Sequence, residues 1–151
     1  MNPDLRRHEI PGRVAVATGN GGLPKLVVTT PVSSAEVYLH GAHVSAFQKN
    51  GEPPLIFMSR KSEFAEGKPI RGGVPICFPW FGNREGQPSH GFARIVEWQL
   101  VKAAAQPDGA VTLQFALPRT AGVSAWNSCR TEFIVTVSDT LTMELVSANE
   151  G

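Results

Sequence analysis

Val111-Thr-Leu-Gln-Phe-Ala-Leu117 alternates apolar and polar side chains residue by residue. Val111, Leu113, Phe115 and Leu117 therefore share one face of an extended strand, a period of two that no helix face reproduces. Working outward, Val96-Glu-Trp-Gln-Leu-Val101 alternates in the same way. Gln106-Pro-Asp-Gly109 lies between the two runs as a turn, because proline presets φ and glycine accepts a positive one. Downstream, Phe133, Val135 and Val137 share a face of one run, and Leu141, Met143 and Leu145 share a face of the next. Ser138-Asp139 separates them, which makes a hairpin. Upstream, Val14-Ala-Val-Ala-Thr18 and Leu26-Val-Val-Thr-Thr30 are β-branched and bounded by Gly or Pro, as strands are. Residues 35–47 carry Val37, Leu39 and Val44 around Gly41, consistent with two strands or one bent strand. Leu55-Ile-Phe-Met58 is a further short candidate. No long segment repeats with the helical period. Many short strands with regular turn signals predict an all-β fold, an antiparallel β-sandwich or barrel, over one domain spanning residues 1–151.

Bulk composition narrows the function. A chain of 151 residues is long enough for one domain with a real core. It is 42% hydrophobic and 18% charged, with a mean hydropathy of −0.08. Fourteen basic and 13 acidic residues leave a net charge of +1. That balance argues against a nucleic-acid partner, which calls for a basic excess. Anion binding must then come from a few placed arginines rather than from the overall field. Cys77 and Cys129 are too few for a disulfide framework, and Cys77 sits in the apolar run 74–81 as a buried, reduced thiol. Residues 1–11 are polar and lack the apolar core of a signal peptide. No stretch approaches the ~20 apolar residues of a membrane span. These features predict a cytoplasmic setting without a membrane partner.

The chemistry concentrates in Lys68-Pro-Ile-Arg-Gly-Gly-Val-Pro-Ile-Cys-Phe-Pro-Trp-Phe-Gly82. Its prolines interrupt any ladder of backbone hydrogen bonds. Gly72-Gly73, directly after Arg71, permits close backbone approach to a ligand. Phe78, Trp80 and Phe81 are too many aromatics for a solvated loop. A rigid aromatic loop with one arginine suits a concave site for a small polar molecule. It equally suits a packed crossover over the end of a sandwich, with Arg71 in a structural ion pair. Ser89-His-Gly-Phe-Ala-Arg94 lies a few residues downstream. If a strand begins at Phe92, then His90, Phe92 and Arg94 alternate onto one face. Arginine offers a permanently charged planar fork for phosphate. Histidine offers proton transfer near neutrality, although a lone His-Gly beside a strand is more often structural.

Other motifs carry less. His40 and His43 flank Gly41, but no Cys or carboxylate stands at ligand spacing, so no metal site is expected. His8 belongs to a charged, solvated segment. No Gly-x-Ser-x-Gly elbow is present for a hydrolase. Gly19-Asn-Gly-Gly22 is a turn without the lysine of a phosphate-binding P-loop.

Three stretches taken together resemble the glucose-6-phosphate 1-epimerase (D-hexose-6-phosphate mutarotase) family of the aldose 1-epimerase superfamily. They are Leu39-His-Gly-Ala-His-Val-Ser-Ala-Phe47, residues 68–82 as quoted, and His90-Gly-Phe-Ala-Arg94. The similarity runs from about Leu26 onward. It implies a galactose-mutarotase-like antiparallel sandwich, of which this chain is about the N-terminal half. It implies interconversion of the α and β anomers of an aldohexose 6-phosphate, without metal or cofactor. Arg71, Ser89, His90 and Arg94 are the implied substrate-binding residues, the arginines toward the phosphate. Ser89 stands where family members often carry Gln or Asp. The family's catalytic acid and base, a second histidine and a later glutamate, map beyond Gly151, so the catalytic residues of this chain are not identified.

The end of the chain adds an expectation. Ser147-Ala-Asn-Glu-Gly151 looks like the opening of a turn after a strand ending near Val146. That strand is expected to expose an open sheet edge, available for self-association. Two functional classes stay open: a mutarotase whose substrate-binding half this is, and a non-catalytic sugar-phosphate-binding or interaction module. A purely structural fragment, with the aromatic loop as core filler, is the least supported.

Overall fold

In the computed structural model, residues 3–119 and 124–151 are described. Eight strands form two four-stranded antiparallel sheets, each joined in simple sequence order. The first sheet holds β1 (Val14–Thr18), β2 (Pro24–Thr29), β3 (Ser33–Tyr38) and β4 (His43–Lys49). The second holds β5 (Gln99–Ala105), β6 (Val111–Ala116), β7 (Cys129–Val137) and β8 (Leu141–Asn149). The helical turns are short 3-10 segments, such as Pro3–His8, which buries Leu5. The predicted all-β antiparallel sandwich is the observed architecture.

Alternation becomes packing through the register. Val14 pairs with Val28 and Val16 with Leu26, and Leu26 and Val28 then face Val37 and Ala35. In the second sheet Phe115 lies opposite Phe133, Leu113 opposite Val135 and Val111 opposite Val137. These side chains merge into one buried cluster drawn from both sheets. Trp98 completes it: it is 1% exposed, meets Phe133 edge-on at 6.4 Å, and donates its indole N–H to the Ala93 carbonyl at 2.8 Å. A buried indole retains such a partner because an unpaired N–H in the core is costly. The sheets are also tied at one end, where the Ser33 hydroxyl donates to the Ser138 carbonyl in the β7–β8 turn.

One irregularity in the first sheet determines which way a buried histidine faces. Between Glu36 and Val37 the register with β4 shifts, so that Ala46 faces Glu36 but Val44 faces Val37. Strict alternation from the buried Phe47 would aim Ser45 and His43 inward. The bulge instead turns Val44 into the core and leaves His43 on the other side of the strand.

Several sequence expectations are corrected. Leu55-Ile-Phe-Met58 is not a strand; its one bridge runs from Met58 to Gly72, and Leu55 and Phe57 are 71% and 78% exposed. Its apolar run has no partner ladder, and Pro53-Pro54 precedes it without N–H groups to contribute. Strand β5 starts at Gln99 rather than Val96. At the other end, Ser147, Ala148 and Asn149 remain in β8, paired with Thr131, Arg130 and Cys129, where a turn was expected. The outer edge of β8 carries half-exposed Leu145 and Val146. Residues 50–98 contain no named strand at all, and this long excursion between the sheets carries the candidate site.

The core at Leu113, fully buried, should be sensitive to truncation while the exposed Val146 of β8 is not. Leu113→Ala is expected to cost about 2–5 kcal/mol in urea unfolding, against within about 0.5 kcal/mol for Val146→Ala on the edge. Equal losses at the two positions would contradict this placement of the core.

Candidate functional site

The excursion is pinned along the free edge of β4. Val74 donates its N–H to the Val44 carbonyl at 3.0 Å, and Gly73 donates to the Phe57 carbonyl at 2.8 Å. Both glycines there have positive φ, +93° for Gly72 and +62° for Gly73. A Cβ on Gly72 would lie 2.6 Å from the Phe57 carbonyl oxygen, and one on Gly73 2.5 Å from His43 Nε2. The glycine pair thus allows close approach to the protein's own backbone and histidine, where the sequence suggested approach to a ligand.

Two buried histidines grip the same segment. His40 Nε2 lies 2.6 Å from the Lys68 carbonyl oxygen, and His43 Nε2 lies 2.7 Å from that of Gly72. A carbonyl can only accept, so each Nε2 carries the proton and donates. His43 Nδ1 is buried without a partner. Burial is the main reason that the His43 pKa falls from 6.5 to about 4, against which the Gly72 hydrogen bond works, with the nearby His40 lowering it a little further.

Arg71, between those carbonyls, has its backbone fully engaged. Its N–H donates to the Ser62 hydroxyl at 2.9 Å and its carbonyl accepts from the Ser59 N–H at 3.1 Å. Its side chain is exposed. Arg94 is half-buried and donates to the Ser89 carbonyl at 2.9 Å, while its Nε is buried without a partner. Desolvation is the main reason that its pKa sits below the usual arginine value; the electrostatic interaction with Cys77 works against that lowering, and the one with Arg71 adds to it. Arg71, Arg94 and Cys77 are therefore electrostatic neighbours. Among the described residues neither arginine forms a salt bridge, which removes the structural ion pair considered for Arg71.

His90 closes the adjoining loop. Its Nδ1 accepts the Gly82 N–H at 2.9 Å, and its own N–H donates to the Gly82 carbonyl at 2.9 Å. The neutral ring thus carries its proton on Nε2, the nitrogen left for a ligand. The backbone is left-handed at His90, with φ +61°, an uncommon state for a non-glycine residue that the surrounding bonds maintain. Phe81, 82% exposed, leans on the imidazole at 4.6 Å. Trp80 meets Phe92 edge-on, bonds the Pro88 carbonyl through its indole N–H, and carries the Arg84 guanidinium over its ring at 4.7 Å.

Ser89, His90 and Arg94 are held in one loop region, by a different route from the one expected, and Arg71 interacts electrostatically with Arg94. Phe92 does not begin a strand. It is buried ahead of the 3-10 turn Ala93–Ile95, so His90 and Arg94 meet through Ser89 and the loop closure instead of strand alternation. Sequence reasoning missed the histidine grips entirely: partners 28 and 29 residues apart leave no local pattern. It also missed Arg84 on Trp80. Among the described residues no three His, Cys, Asp or Glu side chains gather as a metal site, and no helix is long and apolar enough to cross a membrane.

The two-sheet antiparallel sandwich, with a long crossover between the sheets, is shared by solved structures of the mutarotase fold. The solved structure of YeaD from Salmonella typhimurium, provisionally described as a mutarotase, matches with a TM-score of 0.83 at 31% identity, over 93% of this chain and 48% of that one. HI1317 matches with a TM-score of 0.79 at 28% identity, over 94% and 50%. The sequence profile of the aldose 1-epimerase family covers residues 24–151, and the chain belongs to that family. Relatives from Salmonella typhimurium and Escherichia coli, both provisionally named glucose-6-phosphate 1-epimerase, are 43% and 41% identical over 97 residues. In each case the match takes in 63% of this chain and 33% of the relative, and the structural matches reach about half the length of the proteins they cover.

The buried neutral His43 makes stability pH-dependent. Between pH 6.5 and about 4 the unfolded chain takes up a proton that the folded histidine refuses. Its contribution is therefore intact above pH 6.5, is lost as pH falls toward 4, and amounts to on the order of 3 kcal/mol when fully lost. Urea midpoints at pH 7 and pH 4.5 should lie closer together in His43→Gln than in the parent chain. Parallel losses in both proteins would show that His43 titrates normally.

Proposed function

We propose that this chain binds an aldohexose 6-phosphate and forms the substrate-holding half of a mutarotase that interconverts its α and β anomers. One observation carries the reading: Arg71 and Arg94 share a neighbourhood with no carboxylate partner among the described residues, and Arg94 holds a buried Nε without an acceptor. Two cations so placed repel each other until an anion lies between them, and a phosphate offers several acceptor oxygens to both. His90 Nε2 and Ser89 then face the sugar hydroxyls, with Phe81 as an apolar wall beside them. The names given to the relatives support a phosphorylated hexose as the ligand. Two free cysteines suit the cytoplasmic setting in which sugar phosphates occur.

Mutarotation needs a base to take the proton of the anomeric hydroxyl and an acid to protonate the ring oxygen, with the roles reversed on closure. His90 is the one candidate in the described site, and its Nδ1 is already committed to Gly82. That commitment favours holding over proton transfer. It also keeps a second reading in play, a sugar-phosphate-binding module without catalysis of its own.

Titration with glucose 6-phosphate by NMR is expected to show binding, weakened about 10–100-fold in Arg71→Ala by loss of a charged hydrogen-bonding group. Arg94→Ala should weaken glucose 6-phosphate and leave free glucose unaffected; equal loss for both would refute the phosphate role. Exchange between anomers at the rate of buffer alone, with binding intact, supports the holding role. Acceleration would make the chain itself the catalyst, and absence of any binding would defeat both readings.

A further inference from the structure

We propose that His40 and His43 are positioning residues for Arg71, and that the β3–β4 turn with the first residue of β4 sets the separation of the two arginines. The inference rests on the sugar-phosphate reading and extends it to residues outside the ligand's reach. The two residues are 2% and 1% exposed, and each donates one Nε2–H to a carbonyl of the arginine segment, at Lys68 and Gly72. Those acceptors bracket Ile70 and Arg71. Ile70 is itself buried at 3% exposure, so the segment is anchored before, within and after its short length. With the Arg71 backbone also bonded to Ser59 and Ser62, the guanidinium and its stem are the part left without a hydrogen bond among the described residues.

The same turn holds the other arginine segment through its backbone. Gly41 donates to the Val96 carbonyl at 2.7 Å, and Trp98 donates to the Leu39 carbonyl at 2.8 Å. The Gly41 Cα side is so close to Arg94 that a Cβ would lie 2.9 Å from its carbonyl oxygen. Residues 39–43 therefore contact the backbone around Arg71 on one side and around Arg94 on the other. A histidine that only satisfied a buried carbonyl would need no such placement. Here two of them, on either side of Gly41, select the carbonyls that straddle one site residue.

Side-chain substitution separates positioning from bulk packing. Glutamine can present an amide N–H near the place of Nε2, whereas leucine removes the donor and asparagine falls short of it. Binding of glucose 6-phosphate and of inorganic phosphate is measured by NMR on the full chain, together with amide hydrogen exchange of residues 69–74. His40→Leu and His43→Leu are expected to weaken both ligands about tenfold or more and to speed exchange in 69–74 about tenfold, while His40→Gln and His43→Gln stay within about threefold of the parent. If a leucine variant does not fold, His43→Asn takes its place and is expected to behave as the donor-less form. Leucine variants that bind like the parent, or glutamine variants as weak as the donor-less forms, overturn the proposal. If the parent binds neither ligand, the sugar-phosphate reading fails, and exchange alone decides the grip: faster exchange confined to 69–74 upholds it, and unchanged exchange overturns it.

Discussion

The edge of β4 is the constraint on which the rest of the molecule depends. An edge strand presents a row of unsatisfied backbone groups that has to be covered or blunted. Here Val44 is met by Val74, and His43 reaches past the edge to Gly72. The cover is the arginine-bearing crossover itself. Strand protection and site construction are therefore one event: the crossover cannot leave β4 without exposing both a sheet edge and a buried imidazole. The bulge between Glu36 and Val37 makes this possible, because it sends Val44 inward and frees His43 to face the loop.

Electrostatics sets the opposite tendency. Net charge is close to neutral, yet Arg71 and Arg94 interact electrostatically and neither forms a salt bridge among the described residues. Partial burial of Arg94 is unfavourable in the absence of a ligand, since it removes water from a charge that has no carboxylate partner among the described residues. The rigid backbone around Arg71 and the indole-anchored turn at Ala93 oppose that repulsion. Local order is held by hydrogen bonds, and the charges are left available.

Legibility in the sequence depends on the range of each interaction. Strands β1, β2 and β6 are plain from alternation and flanking Gly or Pro, and the hairpin at Ser138-Asp139 from its turn residues. Arg71, Ser89, His90 and Arg94 are legible as a set because they lie in short, unusual motifs. Whatever requires a distant partner is not. Leu55-Ile-Phe-Met58 has strand-like residues but no ladder to join. Residues 90–94 alternate in sequence, yet Gly82, eight residues before His90, bends them into a loop through its paired bonds to that residue. His40 and His43 read as a metal pair lacking further ligands, since hydrogen bonds to backbone carbonyls leave no trace in residue types. A histidine's role there depends on where Lys68 and Gly72 come to rest.

The closure at Gly82 and His90 has a further consequence. Paired hydrogen bonds seal the base of this loop, and residues 83–88 beyond it are exposed. Past a sealed base, added length matters little, because each doubling of a flexible loop costs only about 0.6 kcal/mol of closure entropy. Residues added at the tip would therefore change the exposed rim of the loop at small cost, while the paired bonds at its base stay in place.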